Sequence, residues 1–222
     1  IIGETGAGKS TILNVLSGII EATSGKVLIG HRDIKDIDIN SLKARIGVVV
    51  QCPYIFEGTV RENLFYKTKI PEWKLEYYLR RVKLLNNDES NLKDFLDREA
   101  TKLSGGQKQR ICLVRELIGK PDILLLDEPF SALDYQTRLE VSDDIYKILK
   151  EQNKTAILVT HDISEAIAMG DKVIILSARP GRINKIIDIT FDNLTDGRTP
   201  FKARSSPGFS DYFNTIWKEL VQ

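Results

Sequence analysis

The chain has 222 residues, enough to bury a sizeable core in one domain, and its 42% hydrophobic and 28% charged content excludes disordered and fibrous classes. A net charge of +1 sets up no basic field of the kind that holds nucleic acid. Two cysteines, Cys52 and Cys112, lack metal-ligand spacing and read as idle thiols in a reducing compartment, and no apolar run reaches the ~18 to 20 residues that span a bilayer.

In chain order, short β-rich runs alternate with helical patterns, which argues for an α/β domain. The opening "IIGETG", in mid-strand and without a Met, reads as the continuation of a longer domain. It leads into "GETGAGKST", which fits G-x-x-x-x-G-K-[ST] from Gly3 to Ser10. Gly3, Gly6 and Gly8 let backbone N–H groups turn towards phosphate oxygens, with Glu4, Thr5 and Ala7 between them and Thr11 behind. A helix from about Lys9 to Ser17 aims its positive end at the same anion. Lys9 neutralises the outer phosphates, and the Ser10 hydroxyl is of the type that binds Mg²⁺.

Strands are expected at "KVLIG", "RIGVVVQ", "DILLLDE", "KTAILVTH", "KVIILSA" and "KIIDITF". Several are almost wholly apolar, as in a mainly parallel sheet covered on both faces. Gln51 and His161 end the second and fourth, where ligand groups gather in such sheets. "PDILLLDEP" ends in two carboxylates. Alternation along a strand gives Asp127 and Glu128 separate tasks: Asp127 towards Mg²⁺ through water, Glu128 to orient and deprotonate the water that attacks a γ-phosphate.

The middle third reads as helices and loops, including "EWKLEYYLRRVKLL". Within it stands "LSGGQKQR", with Ser104, Gly105 and Gly106 ahead of a helix from about Gln107 to Leu117. Ser104 is a plausible N-cap, and the glycines leave bare N–H groups as a second anion site. A further helix spans roughly Ala132 to Glu151, and residues 192–208, with "DG", "TP" and "SP", read as a loop. A closing helix places Phe209, Phe213, Ile216, Trp217 and Leu220 on one face, packed against its own domain.

Taken in order, "GETGAGKST", Gln51, "LSGGQKQR", "ILLLDEP", "SALD" and His161 resemble the nucleotide-binding domain of an ATP-binding cassette transporter, over almost the whole chain. The resemblance implies a P-loop NTPase, RecA-like α/β core at about 1–56 and 119–191, an inserted helical subdomain at about 57–118, and a C-terminal loop and helix at 192–222. It implies ATP and Mg²⁺, with Ser10, Gln51 and Asp127 towards the metal, Glu128 as catalytic base and His161 as a switch histidine. Ser104, Gly105, Gly106 and Gln107 then contact ATP held by a second subunit, identical or related, and Asp134 lies at that seam. Permease subunits at the cytoplasmic face of a membrane, and an extracytoplasmic solute-binding protein, are the implied partners.

"DEPFSALDYQTR" and "THDISEAIAMGDKVIILSARPGRI" look like importer ATPases for nitrate, sulfonates or taurine, whereas "PYIFEGTVRENLFY" looks closer to phosphate-type importers or exporters. The family has strands and an adenine-stacking aromatic ahead of the phosphate loop. Without them "KVLIG" is expected to lack a β partner. The alternative is a soluble, non-transport cassette ATPase acting on ribosomes or DNA. The tandem cassettes or coiled-coil insertions usual in such proteins are absent from these 222 residues.

Overall fold

Buried apolar runs set some of the strands, and side-chain caps set most helix starts. The computed structural model describes residues 1–66, 68–85, 91–194 and 197–221. In chain order the elements are β1 (Ile2–Gly3), α1 (Lys9–Leu16), β2 (Leu28–Ile29), β3 (Arg32–Asp33), α2 (Ile39–Arg45) and β4 (Ile46–Val49). Next come α3 (Val60–Leu64), α4 (Glu72–Arg81), α5 (Leu92–Leu96), α6 (Gly105–Ile118), β5 (Ile123–Asp127) and α7 (Tyr135–Glu151). The chain continues with β6 (Thr155–Val159), α8 (Ile163–Met169), β7 (Lys172–Leu176), β8 (Ile183–Asp188), α9 (Pro200–Arg204) and α10 (Phe209–Val221). These fall into two units, Ile1–Lys43 with Ala156–Gln222, and Ala44–Thr155.

In the first unit β1 runs parallel to β7, with Ile2 opposite Ile175, and β8 is antiparallel to β7. Ile2, Ile163, Ile167, Val173, Ile175 and Ile216 are buried together. Phe209, Phe213 and Leu220 of α10 pack on this core, but Trp217 is 55% exposed and stacks on Phe213. The expected five-residue apolar face is therefore buried on one side only.

Two expectations are corrected in this unit. "KVLIG" does have a β partner: Leu28 opposes Asp33 and Ile29 opposes Arg32. Gly30 and His31 between them both take positive φ, 55° and 69°, the backbone of a two-residue hairpin turn. The stretch 192–208 is not all loop, because Thr199 accepts from Lys202 N–H and Pro200 occupies the first turn of α9. A Thr-Pro pair is as much a helix start as a turn signal. Thr195 and Asp196, the latter half of the expected "DG" turn, lie outside the described residues.

In the second unit β4 and β5 are parallel, from Ile46 opposite Ile123 to Val49 opposite Leu126. Leu124, Leu125 and Leu126 are buried, as their unbroken apolar run requires. Between residues 57 and 118 the described chain forms α3 to α6, with a lone bridge between Thr59 and Glu99 instead of a strand. A reciprocal Thr59–Glu62 capping box starts α3. The "EWKLEYYLRRVKLL" helix stops at Arg81. Lys83 turns left-handed at φ 56°, and Val82, Leu84 and Leu85 remain buried beyond it. α7 begins at Tyr135, not Ala132, because Asp134 accepts from Thr137 N–H and caps it.

Both cysteines are free thiols, Cys52 exposed and Cys112 buried. Burial pushes the Cys112 thiol up from its usual range. A maleimide reagent should modify Cys52 within minutes and Cys112 only on unfolding, which peptide mass spectrometry reads directly; equal rates would contradict this placement.

Candidate functional site

The phosphate loop lies in the first unit. Gly3 ends β1 so close to β7 that a Cβ there would stand 2.9 Å from Leu176 O. Glu4, Thr5 and Gly6 are exposed, and Ala7 is buried and donates to Glu4 O at 3.2 Å, closing a turn. Gly6 and Gly8 take φ 85° and 91°, which a side chain would strain. Gly8 is also the N-cap of α1 and offers no side-chain acceptor, and the first turn carries no acid. The leading N–H groups of α1, with Lys9, Ser10 and Thr11 among them, therefore face an uncapped positive end built for an anion. Lys9 Nζ folds back to Gly3 O at 2.7 Å and Glu4 O at 2.9 Å.

This loop is held from behind by residues the sequence analysis passed over. Arg179 Nε donates to Gly6 O at 2.9 Å. A Cβ on Gly181 would lie 2.1 Å from Ala7 O, so only glycine permits this approach. "ARPG" reads as ordinary turn chemistry; nothing local announces that it backs a phosphate loop. His161 lies two residues past the end of β6, not at its end, and is exposed. Thr160 N–H donates to Ile1 O at 3.2 Å, which places the segment before His161 beside β1.

The second unit carries the remaining residues. Gln51 is exposed and stands two residues past β4 rather than closing it. Asp127 ends β5, but Glu128 lies beyond the strand, at φ 49°. Strand alternation therefore does not separate the two carboxylates; a left-handed residue does. Such a conformation is unfavourable for a non-glycine residue and persists only where the surroundings hold it. Here Glu128 O accepts from Ser131 N at 3.2 Å, Ser131 Oγ at 3.0 Å and Gln109 Nε2 at 2.9 Å. Both carboxylates are largely buried.

The glycine pair is corrected too. Gly105 and Gly106 are the first two residues of α6, not a loop before it. They escape the interior penalty because first-turn N–H groups have no helical partner in any case. Ser104 Oγ accepts from Gln107 N and the Gln107 side chain accepts from Ser104 N, a complete capping box. The two glycines have different tasks. A Cβ on Gly105 would meet nothing within 4 Å, whereas one on Gly106 would stand 2.9 Å from Ala132 O. Gly105 keeps an open face, and Gly106 lets α6 dock on the segment after β5. Asp134 caps α7, and the hydrogen bonds from Thr137 hold its carboxyl below the usual range, with Arg110 a smaller contributor.

Among the described residues no group of three or more His, Cys, Asp or Glu is placed to hold a metal.

A P-loop of this kind on an α/β core, with an acidic strand end, defines a nucleotide-binding ATPase domain. The profile of the ABC transporter family matches residues 1–131. An uncharacterised ABC transporter ATP-binding protein, YtlC of Bacillus subtilis, is 41% identical over 99% of this chain and 82% of its own. The taurine import ATP-binding protein TauB of Roseobacter denitrificans is 35% identical over 98% and 81%. The carnitine transport ATP-binding protein OpuCA of Listeria monocytogenes is 38% identical over 79% and 44%. A bacterial Atm1-family ABC exporter with ATP bound superposes with a TM-score of 0.76 at 28% identity, over 96% of this chain and 36% of the exporter's. The chain belongs to the ABC transporter family, as an ATP-binding subunit whose ATPase activity powers transport.

Gly181→Ala should push the phosphate loop out of place and weaken ATP binding by about tenfold or more, with Arg179→Ala milder. Titration with a fluorescent ATP analogue checks both; wild-type affinity in Gly181→Ala would show that the loop tolerates the displacement.

Proposed function

We propose that this chain drives uptake of a small organic solute, working as a pair of cassettes beneath permease subunits at the cytoplasmic face of a membrane. The observation that carries it is one chain with two open helix starts: α1, which has no cap, and α6, whose Gly105 face is bare. A two-fold pair would place each phosphate loop against the other copy's Gly105, so that two nucleotides lie at the seam. The solute class rests on relatives named for taurine import and carnitine transport. Taurine and carnitine are both compact, zwitterionic organic molecules.

In this reading the loop from Gly3 to Thr11 holds the β- and γ-phosphates, with Lys9 released from Gly3 O and Glu4 O to meet them. Ser10, Gln51 and Asp127 would hold Mg²⁺, which supplies charge neutralisation on the phosphates when bound. Ser104 accepts from Gln107 N–H, which leaves its hydroxyl proton for the partner's γ-phosphate. Gly105, Gly106 and Gln107 line the same approach. Glu128 takes a proton from the attacking water as the γ-phosphoryl group leaves ADP, and His161 donates to that phosphoryl oxygen.

Docking to the permease falls to the aromatic segment after Gln51. Tyr54 and Tyr66 are exposed and flank Phe56, at ring separations of 5.2 and 4.7 Å. Arg115 lies over Phe56 and donates to Tyr54 O. Clustered exposed aromatics braced by a buried helix suit a permease helix. Among the described residues no helix is long and apolar enough to cross a membrane. A solute-binding protein outside the membrane completes the proposed system.

Glu128→Gln should reduce turnover by more than about 100-fold while ATP-dependent pairing, read by light scattering, persists. Normal turnover would exclude Glu128 as the base. Co-purification with ribosomes instead of a permease would overturn the transport assignment.

A further inference from the structure

Gln109 is fully buried although it is a polar residue on a surface-starting helix. It sits one turn after Gly105, on the same face of α6. Its amide is used completely on one short segment. Nε2 donates to Glu128 O at 2.9 Å and to Ser131 Oγ at 3.3 Å, and Oε1 accepts from Ala132 N at 3.1 Å. The same segment touches the helix again where Gly106 meets Ala132 O. The first turn of α6 and residues 128–132 are therefore tied by one side chain and one close backbone contact.

We propose that Gln109 is a positioning residue that holds Glu128 in its left-handed conformation and ties its carboxylate to the nucleotide-facing end of α6. The proposal rests on Glu128 being the base and on α6 meeting nucleotide. The backbone of Glu128 is unfavourable by itself, and two of the hydrogen bonds to its carbonyl come from Ser131, a neighbour in the same turn. Gln109 reaches the same carbonyl from another element. Any shift of α6 as nucleotide meets Gly105 is passed to Glu128 O through this amide, and the carboxylate turns with its backbone. A buried glutamine merely filling space would carry no such link.

The test measures MgATP hydrolysis by the purified protein, with fluorescent-ATP affinity and thermal unfolding alongside. Gln109→Leu removes all three hydrogen bonds at similar size. Its kcat should fall by about 10- to 100-fold, the loss that follows from an ångström-scale misplacement of a reacting group, with KM and ATP affinity within about threefold. Gln109→Glu keeps the acceptor for Ala132 N–H but sets an oxygen against Glu128 O. It should show a similar kcat loss, and it decides the question if the leucine variant unfolds. Ser131→Ala, which removes another donor from the same carbonyl, should combine with Gln109→Leu non-additively. Parent-like kcat in Gln109→Glu, or equal losses in kcat and ATP affinity, would overturn the proposal. Glu128→Gln in the same assay keeps the two readings apart. If it is inactive while both Gln109 variants turn over normally, only the tether fails; if it is active, the base assignment fails.

Discussion

The second unit is organised around a single carbonyl oxygen, that of Glu128. A buried apolar strand must end in polar groups that find partners, because unpaired backbone polar atoms in low dielectric cost as much as lost hydrogen bonds. β5 meets this requirement abruptly: Leu126 is buried, Asp127 is buried, and the chain then turns left-handed. Three donors converge on Glu128 O, and the chain leaves through Leu133 to the Asp134 cap of α7. Without that convergence Glu128 would relax towards ordinary backbone angles, and α6, docked at Ala132 O through Gly106, would lose its seat.

The first unit solves a parallel problem with the same tools. A loop that presents N–H groups to an anion leaves its carbonyls pointing backwards; its own Lys9 meets Gly3 O and Glu4 O, and the others need partners from elsewhere. Arg179 takes one of those carbonyls, Gly6 O, and the bare Cα of Gly181 packs against the next, Ala7 O. Both halves of the machinery are thus fixed through backbone carbonyls by residues remote in sequence. Ser10, Gln51 and His161, which carry the proposed chemistry, are all exposed in the chain by itself.

This division explains what could be read from the sequence. The uncapped helix start after Gly3 to Gly8, the Ser104–Gln107 capping box and the acidic end of β5 are legible because local geometry dictates residue types at fixed spacing. The strands were legible as apolar runs, and the helical middle third by the want of any. Gln109, Arg179 and Gly181 were not, because their partners lie 19 residues away or more and no local rule names them. The left-handed φ of Glu128 was hidden for the same reason, and alternation within a strand was extended one residue too far. The β2–β3 hairpin escaped notice because His31, not glycine, supplies half of its turn. The Thr199 cap of α9 has the same local signature as loop punctuation, a Thr-Pro pair.

The two helix starts differ in a way that orders events on the proposed cycle. α6 starts with its cap in place: the capping box satisfies the Gln107 N–H and the Ser104 N–H, so the first turn leaves Gly105 and Gly106 to present donors. α1 has no such provision; its N-cap is Gly8, and Lys9 occupies itself with Gly3 O and Glu4 O. An uncapped, positively polarised end gains more from an arriving phosphate than a capped one does. In the proposed cycle nucleotide would settle first on the phosphate loop, drawing Lys9 away from its carbonyls. The preformed face at Gly105 would meet it second, offering two fixed donors and one hydroxyl. With little ordering cost at that step, the free energy of the second contact would remain available for drawing two subunits together.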